Sequence, residues 1–121
     1  MEAINLQDKF KLFDDQWSPK KIAALNGQLV KLAKLSGEFL WHSHEKEDEL
    51  FMVIQGTLFL EFHDKIIEVN AGELIVVPRG VEHRPYTREG EETWVMLFEP
   101  EETQHTGQVE SERTQNKQPW I

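Results

Sequence analysis

Three histidines and one glutamate have the residue types and the spacing of a metal site. His42 and His44 are two positions apart in a β-prone segment, and side chains two apart on a strand point to the same face. Glu49 follows an acidic turn and precedes the next predicted strand, so a hairpin would place its carboxylate beside both imidazoles. His83 comes directly after a Pro-x-Gly turn, far along the chain, and joins the group only if the fold closes into a barrel.

The composition restricts the metal that such a group would bind. The chain contains no cysteine, so it forms no disulfide and offers no thiolate as a ligand or nucleophile. Imidazole and carboxylate ligands favour one divalent ion of iron, manganese, zinc or nickel, with coordination positions left open for a substrate or dioxygen. Glu49 is also a candidate proton acceptor, and it is the only residue to which we assign a catalytic role from the sequence.

Each candidate ligand also has a purely structural interpretation. A single histidine on a strand is more often a surface or hydrogen-bonded residue than a ligand, and we interpret His63 and His105 in that way. Glu49 on its own would be one of several acids on a solvated turn. The prediction of a metal site therefore depends on a fold that brings all four side chains together.

Charge and composition restrict the partners and the location of the protein. The 121 residues carry a formal net charge of −9 at pH 7, without a basic stripe, which argues against nucleic acid or an anionic membrane as a partner. No apolar run has the length of a membrane span. The first ten residues lack the apolar segment of a signal peptide, so we expect a cytoplasmic protein.

The segments that must position the candidate ligands have the pattern of short strands. Asn26-Gly27 lies between apolar segments, and this pair is a strong hairpin signal because both residues accept positive φ. For the segment before it, a helical turn that starts at Ser18-Pro19 is an alternative. Strands ended by Gly, Pro and Asn turns are typical of an all-β barrel or sandwich with little helix. The predicted strands cover residues 21–25, 28–35, 39–44, 50–55, 57–63, 66–69, 73–77, 83–87 and 93–98.

The first half of the candidate site resembles a motif of the cupin superfamily. That motif begins with glycine and continues with His-x-His, a glutamate and a second glycine. Here Gly37 is followed by His42 and His44, then by Glu49 after four residues and by Gly56 after six more. The spacing between Gly37 and His42 is one residue shorter than the family pattern, and this difference does not touch a ligand position.

The second half resembles the other cupin motif. Gly72 is followed after five residues by Pro78-x-Gly80 and then, after two residues, by His83. Thr87 stands where this motif often has asparagine, which is again not a ligand position. The two motifs occupy residues 37–56 and 72–87, and the short separation between them is similar to that of small bacterial single-domain cupins.

The resemblance implies a fold and a ligand set. It implies one cupin β-barrel, or jelly roll, over residues 1–100, and homodimers formed through outer strands. It also implies that His42, His44, Glu49 and His83 bind one divalent metal ion. Residues 101–121 are then a polar C-terminal tail, whose last two residues are candidates for packing on the barrel or on a partner subunit.

The resemblance does not determine the reaction, because cupins range from dioxygenases and sugar-phosphate isomerases to storage proteins and regulators. We favour a metal-dependent enzyme that acts on a small molecule and is of the dioxygenase or isomerase type. One alternative is a protein that binds or senses a small molecule. The other is a barrel without catalytic activity, in which the metal is structural.

Overall fold

The computed structural model describes residues 1–101 and 118–121, and strands predominate in these residues, as the sequence predicts. Helix α1 (Leu6–Phe10) is capped at its N-terminus by Asn5, whose side chain accepts a hydrogen bond from the Asp8 backbone N–H. No helix among the described residues has the length and apolar character needed to cross a membrane. The strands that follow α1 are β1 (Lys20–Leu25), β2 (Gln28–Leu35), β3 (Glu49–Gln55), β4 (Thr57–Glu61), β5 (Ile66–Asn70), β6 (Leu74–Val77), β7 (Arg84–Tyr86) and β8 (Thr93–Pro100).

The strands form two antiparallel sheets that face each other. The larger sheet has the order β1-β2-β8-β3-β6, and the smaller has the order β5-β4-β7. One buried cluster contains Phe51 and Val95 from the larger sheet together with Leu58 and Leu60 from the smaller. Because the inner faces of both sheets contribute to this cluster, the hydrophobic core lies inside the barrel. The all-β fold class predicted from the sequence is confirmed.

The hairpin between β1 and β2 has the turn that its sequence predicts. Asn26 and Gly27 have φ values of 51° and 77°, and Leu25 pairs with Gln28 across the turn. Two residues with positive φ match the twist of the flanking strands. The alternative of a helical turn starting at Ser18 is wrong, because Lys20–Leu25 pairs along β2 as a strand.

The N-terminal segment covers part of the outer face of the larger sheet. Phe10 is fully buried and stacks on Trp94, with ring centroids 4.6 Å apart. Leu32 is also fully buried in this second cluster. The side chain of Leu32 points away from the barrel core. It is buried because the segment of α1 covers it, which the sheet alone would not do. The sequence analysis did not predict α1, since five residues are too few to show helical periodicity.

The last residues of the chain lie beside β1. The Lys21 backbone N–H donates to Pro119 O at 2.8 Å, and the Ile121 N–H donates to Lys21 O at 3.1 Å. Lys9 Nζ donates to Ile121 O at 2.8 Å, which links the C-terminus to α1. Most of the tail predicted over residues 101–121 lies outside the described residues, as does His105.

The predicted strand at residues 39–44 does not form a regular ladder. This segment runs antiparallel to residues 80–87. Phe39 N donates to Pro85 O, and His42 pairs with His83, so the pairing register shifts by one residue between these two points. Pro85 has no N–H to donate, so the ladder is interrupted at this point. The segment is extended and carries only isolated bridges.

Candidate metal centre

The irregular pairing of residues 37–44 with 80–87 brings two candidate ligands together. His42 N donates to His83 O at 3.0 Å, and His83 N donates to His42 O at 2.9 Å. Further along the same two segments, Gly80 N donates a hydrogen bond to His44 O at 2.8 Å. Glu49 is the first residue of β3 and points inward. Barrel closure, which the sequence analysis required for His83, therefore occurs.

The four side chains form one compact and buried group. Their candidate ligand atoms all lie within 4.8 Å of one another, and no residue of the group is more than 3% exposed. Glu49 Oε1 is 3.4 Å from His44 Nε2 and 3.8 Å from His83 Nε2. This group could hold a metal ion. The group has the same members as the ligand set that the resemblance implied: His42, His44, Glu49 and His83.

Several ligand atoms in this group have no hydrogen-bond partner. Among the described residues, buried atoms without one include both ring nitrogens of His44, Glu49 Oε1 and His83 Nε2. A buried polar atom that makes no hydrogen bond is costly, at about 1–3 kcal/mol. Nε2 of His44 and of His83 converge on Glu49 Oε1, and nitrogen and oxygen donors suit a first-row divalent ion. The donor set thus fits a metal ion, which would satisfy these three unpaired atoms, while Nδ1 of His44 lies 3.4 Å from a carboxylate oxygen of Glu47.

Backbone carbonyls orient two of the imidazoles. His42 Nδ1 lies 3.0 Å from Leu40 O, and His83 Nδ1 lies 2.9 Å from Val81 O. A carbonyl only accepts, so each Nδ1 carries the hydrogen and donates it. The tautomer that results leaves Nε2 of both rings with a free lone pair for a metal.

Burial and mutual contact set the protonation of the histidines in different directions. Burial, together with the nearby His83, lowers the pKa of His42 to about 4. Burial also acts to lower the pKa of His44, but the carboxylates of Glu49 and Glu47 outweigh it and raise this pKa above 6.5. Metal ligands must be deprotonated, so His42 is ready to bind at neutral pH, while a proton competes with the metal at His44.

Glu49 is held in its charged form. Burial alone would raise its pKa, but the imidazoles of His44 and His83 hold it well below the usual value of 4.5. A carboxylate surrounded by imidazoles is a strong ligand for a divalent cation. The catalytic role as a proton acceptor, which the sequence analysis assigned to Glu49, stays a prediction.

Comparison with known proteins identifies the family of this fold and ligand group. Residues 28–100 match the family profile of the cupin domain. The chain belongs to the cupin family. The matched region includes both motifs identified in the sequence and all four candidate ligands, so the resemblance seen in the motifs is confirmed. Family membership accounts for the fold, and the reaction depends on the site.

Two solved structures are similar to this cupin over most of their length. A cupin-2 domain protein from Shewanella frigidimarina has 48% sequence identity and a TM-score of 0.79, over 81% of this chain and 94% of the other. Protein NMB1881 from Neisseria meningitidis has 29% identity and a TM-score of 0.73, over 82% and 99%. The uncharacterized protein YdbB of Bacillus subtilis is 41% identical over 64 residues, which span 52% of this chain and 57% of YdbB.

A buried ion pair lies behind Glu49 in this cupin, and the sequence analysis missed it. Lys31 Nζ donates to Glu99 Oε1 at 2.8 Å, and the two side chains are 1% and 0% exposed. Glu99 Oε2 and Glu49 Oε1 are both buried without a hydrogen-bond partner, and each carboxyl group shifts the pKa of the other. Burial and the charge of Glu49 raise the pKa of Glu99 well above 4.5, against the opposing effect of Lys31. Of the two carboxyl groups, Glu99 is therefore the one that holds a proton more readily.

The sequence does contain a signal for this pair. Strand β8 alternates strictly between buried and half-buried residues, so Glu99 shares its face with Val95 and Leu97. On β2, Lys31 is flanked by Val30 and Leu32, and its own face is buried. A charged residue on the buried face of a strand usually has a partner of opposite charge. Extending the alternation of the predicted strand 93–98 by one residue would have identified Glu99, and the apolar neighbours of Lys31 would have identified that residue as its partner.

A small apolar cavity borders the ligand group of this cupin. Its volume is about 30 Å³, which accommodates about two water-sized molecules. His42 and Glu49 are the ligands that face it, and among the described residues that line the cavity only these two have ionisable side chains. The rest of the wall includes Pro19, Ala33, Leu35, Phe51, Val95 and Leu97. A molecule in this cavity would touch the metal position while its remaining surface contacts hydrocarbon.

His63 is separate from this site, as predicted. Its side chain is 68% exposed and lies 3.1 Å from the carboxylate of Glu82. Its ring stacks on Trp41, with centroids 4.6 Å apart and planes inclined by 2°. His63 is therefore a hydrogen-bonded surface residue, and it provides a control for substitutions at the candidate ligands.

Proposed function

We propose that this cupin is a metal-dependent enzyme that acts on a small molecule, of the dioxygenase or isomerase type. His42, His44, Glu49 and His83 hold one divalent ion in this proposal. The observation that carries it is the combination of unpaired, buried ligand atoms with an apolar cavity that reaches two of the four ligands. A structural metal has no need of a cavity, whereas a substrate does.

The residues of the site would have distinct roles. The ion, when bound, supplies Lewis acidity or a coordination position for dioxygen. His42 and His83 present Nε2 because Leu40 O and Val81 O hold their Nδ1 hydrogens. Glu49 faces the cavity as a carboxylate, so it can accept a proton from a bound molecule as well as bind the metal. The apolar wall excludes bulk water, which strengthens electrostatic effects on the substrate.

Elemental analysis of protein purified from its own host tests the proposal. We expect close to one metal ion per chain in the wild type, and loss of most of that metal in His44→Ala. His63→Ala is the matched control, because it removes an exposed histidine and should keep the metal. Iron favours dioxygenase chemistry, and zinc or manganese favours an isomerase. Absence of stoichiometric metal, or an unchanged content in His44→Ala, would contradict the proposal.

A barrel with a structural metal is the second candidate, because the four ligands are almost completely buried. A ligand that binds only the folded state stabilises it by RT ln(1 + [L]/Kd), about 4 kcal/mol at a thousandfold excess over Kd. The two candidates differ in what occupies the cavity. In the structural alternative, removing the metal lowers the melting temperature and no small coordinating molecule binds to the metal-loaded protein.

We further propose that the protein forms a homodimer through the outer face of β3, β6 and β8. Leu74 and Val76 of β6 are 57% and 50% exposed, and Val76 pairs with Leu50, which pairs with Phe98. These side chains form an apolar row suited to a second copy of the chain. Light scattering should give the mass of a dimer, and Val76→Lys should give that of a monomer. Ile66→Lys, on the exposed face of β5, is the control.

The cytoplasmic location stays a prediction, as does the absence of nucleic-acid and membrane partners. Both rest on the charge and composition of the chain. Fractionation of the host cell tests the first, and retention on heparin or anionic vesicles at low salt tests the second. Recovery in the membrane fraction, or salt-sensitive retention, would contradict these predictions.

A further inference from the structure

A tryptophan in an unfavourable backbone conformation lies at the cavity beside the ligand group. Trp17 has φ of 56°, in the left-handed region that side chains other than glycine seldom adopt. Two hydrogen bonds hold it there: Trp17 N donates to Lys34 O at 2.9 Å, and Trp17 Nε1 donates to Ser36 O at 2.8 Å. Strained residues of this kind persist where their surroundings determine them, and they cluster at functional sites.

The strained backbone places the indole in an aromatic stack that ends at a candidate ligand. Trp17 stacks on Phe39, with ring centroids 4.7 Å apart and an interplanar angle of 13°. Phe39 in turn meets His42 edge to face, at 5.5 Å and 88°. Trp17 is half-buried, while Phe39 is 7% and His42 is 2% exposed. The stack thus runs from the surface of the protein to the metal position.

The same two rings form part of the cavity wall. Trp17 and Phe39 both line it together with His42 and Glu49. The indole N–H is already bonded to Ser36 O, so Trp17 offers hydrocarbon to the cavity. With both rings in place the cavity volume is about 30 Å³, which is the space of about two water-sized molecules. Removing the indole would enlarge the space on the side of the ligands.

We propose that Trp17, supported by Phe39, determines the size of the molecule that reaches the metal centre. The class of ligand that fits is a small molecule with one coordinating group and a short apolar remainder. This inference rests on the proposed function, because it requires that a small molecule bind at the metal. Trp17 acts on specificity, and the metal ligands themselves are untouched by it.

Ligand binding to the cobalt-loaded protein tests this inference, because the visible spectrum of Co²⁺ reports on its coordination. Azide is the small probe, and benzoate is a larger coordinating probe with an apolar ring. We expect azide to bind the wild type and benzoate to bind poorly. Trp17→Ala should increase benzoate affinity by about tenfold or more, as expected for a hydrophobic pocket that gains space, and should leave azide affinity within about twofold.

Two further variants keep the test decisive. Trp17→Gly removes the same ring and accepts φ of 56° without strain, so it replaces Trp17→Ala if that variant folds poorly. Trp120→Ala is the matched control, since Trp120 is 57% exposed beside β1, and it should change neither affinity.

The failure of this inference differs from the failure of the proposed function. If azide binds in every variant but the ratio of benzoate to azide affinity does not change, Trp17 does not control size and the inference is wrong. If Co²⁺ does not bind, or if neither probe changes its spectrum in any variant, the proposed function fails and the inference fails with it.

Discussion

The buried pair of Lys31 and Glu99 provides the sharpest test of the energetics of this barrel. Lys31→Met keeps most of the volume and the apolar stem of the side chain, but it removes the ammonium group 2.8 Å from Glu99 Oε1. Glu99 is then left fully buried without a cation, beside the carboxylate of Glu49. Removing one partner of a buried ion pair costs about 3–5 kcal/mol where the remaining group stays charged, and protonation of Glu99, whose pKa is raised, makes the cost smaller at low pH.

This cost is large enough to measure by chemical denaturation. Small proteins have a free energy of unfolding of about 5–15 kcal/mol. With an m value of about 1.5 kcal/mol/M in urea, a loss of 3–5 kcal/mol moves the unfolding midpoint of Lys31→Met down by about 2–3 M. The metal-free protein is the proper sample, since a bound cation would partly replace the missing charge.

A double substitution and a surface control separate the possible causes. Lys31→Met combined with Glu99→Met removes both charges, and the stability of this variant should recover most of the loss, because an apolar pair of similar volume is often neutral or stabilising. The control is Arg79→Met, since Arg79 pairs with Asp48 on the surface, where the side chains are 62% and 50% exposed. An exposed pair of this kind contributes little to stability, because water screens the attraction and holding two long side chains in place costs entropy.

Two results would refute this reasoning. The first is a loss in Lys31→Met that does not exceed the loss in Arg79→Met, which would mean that Glu99 is not left as an uncompensated charge. The second is a double variant as unstable as Lys31→Met alone, which would mean that the loss comes from packing around residue 31. Unchanged m values across the series are needed for either comparison.

Three further predictions concern protons and backbone space. In metal-free Lys31→Met, the loss of the ammonium group raises the pKa of Glu99 in the folded state further. A carboxyl group with a raised pKa stabilises the folded state only while it holds its proton. Urea denaturation should therefore show that the free energy of unfolding of this variant falls as pH rises above 4.5. Metal affinity measured by competition with a chelator should increase as pH rises above 6.5, because the raised pKa of His44 leaves a proton for the metal to displace; a flat profile would contradict this. Gly56→Ala should destabilise more than Gly90→Ala, by about 1–3 kcal/mol in urea denaturation, because both have positive φ but only at Gly56 would the Cβ lie 3.0 Å from Thr93 Oγ1.

Much of this fold could be predicted because its turns have local chemical signals. Asn26-Gly27 forms the hairpin that it predicts, and glycine and proline bound the strands on either side of the ligand segments. Other features depend on tertiary contacts. Helix α1 exists because Phe10 packs on Trp94, and the register shift at residues 39–42 arises where Pro85 lacks an N–H. Both features join segments that are far apart in the sequence, so the hydrophobic periodicity of either segment could not predict them.

The ligand group could be predicted from spacing, while the charges behind it could not be predicted from the ligands alone. Glu49 and Glu99 would each carry a negative charge when ionised, and Lys31, which pairs with Glu99, carries one positive charge. These three buried groups would then have a net charge of about −1. In the metal-free protein, the raised pKa of Glu99 favours its protonated form, which removes this negative charge. A divalent ion among the imidazoles would remove it instead. Metal binding and protonation are thus two ways to neutralise the buried negative charge of Glu49 and Glu99. The pH dependence of the stability of Lys31→Met and the pH dependence of metal affinity both test this conclusion.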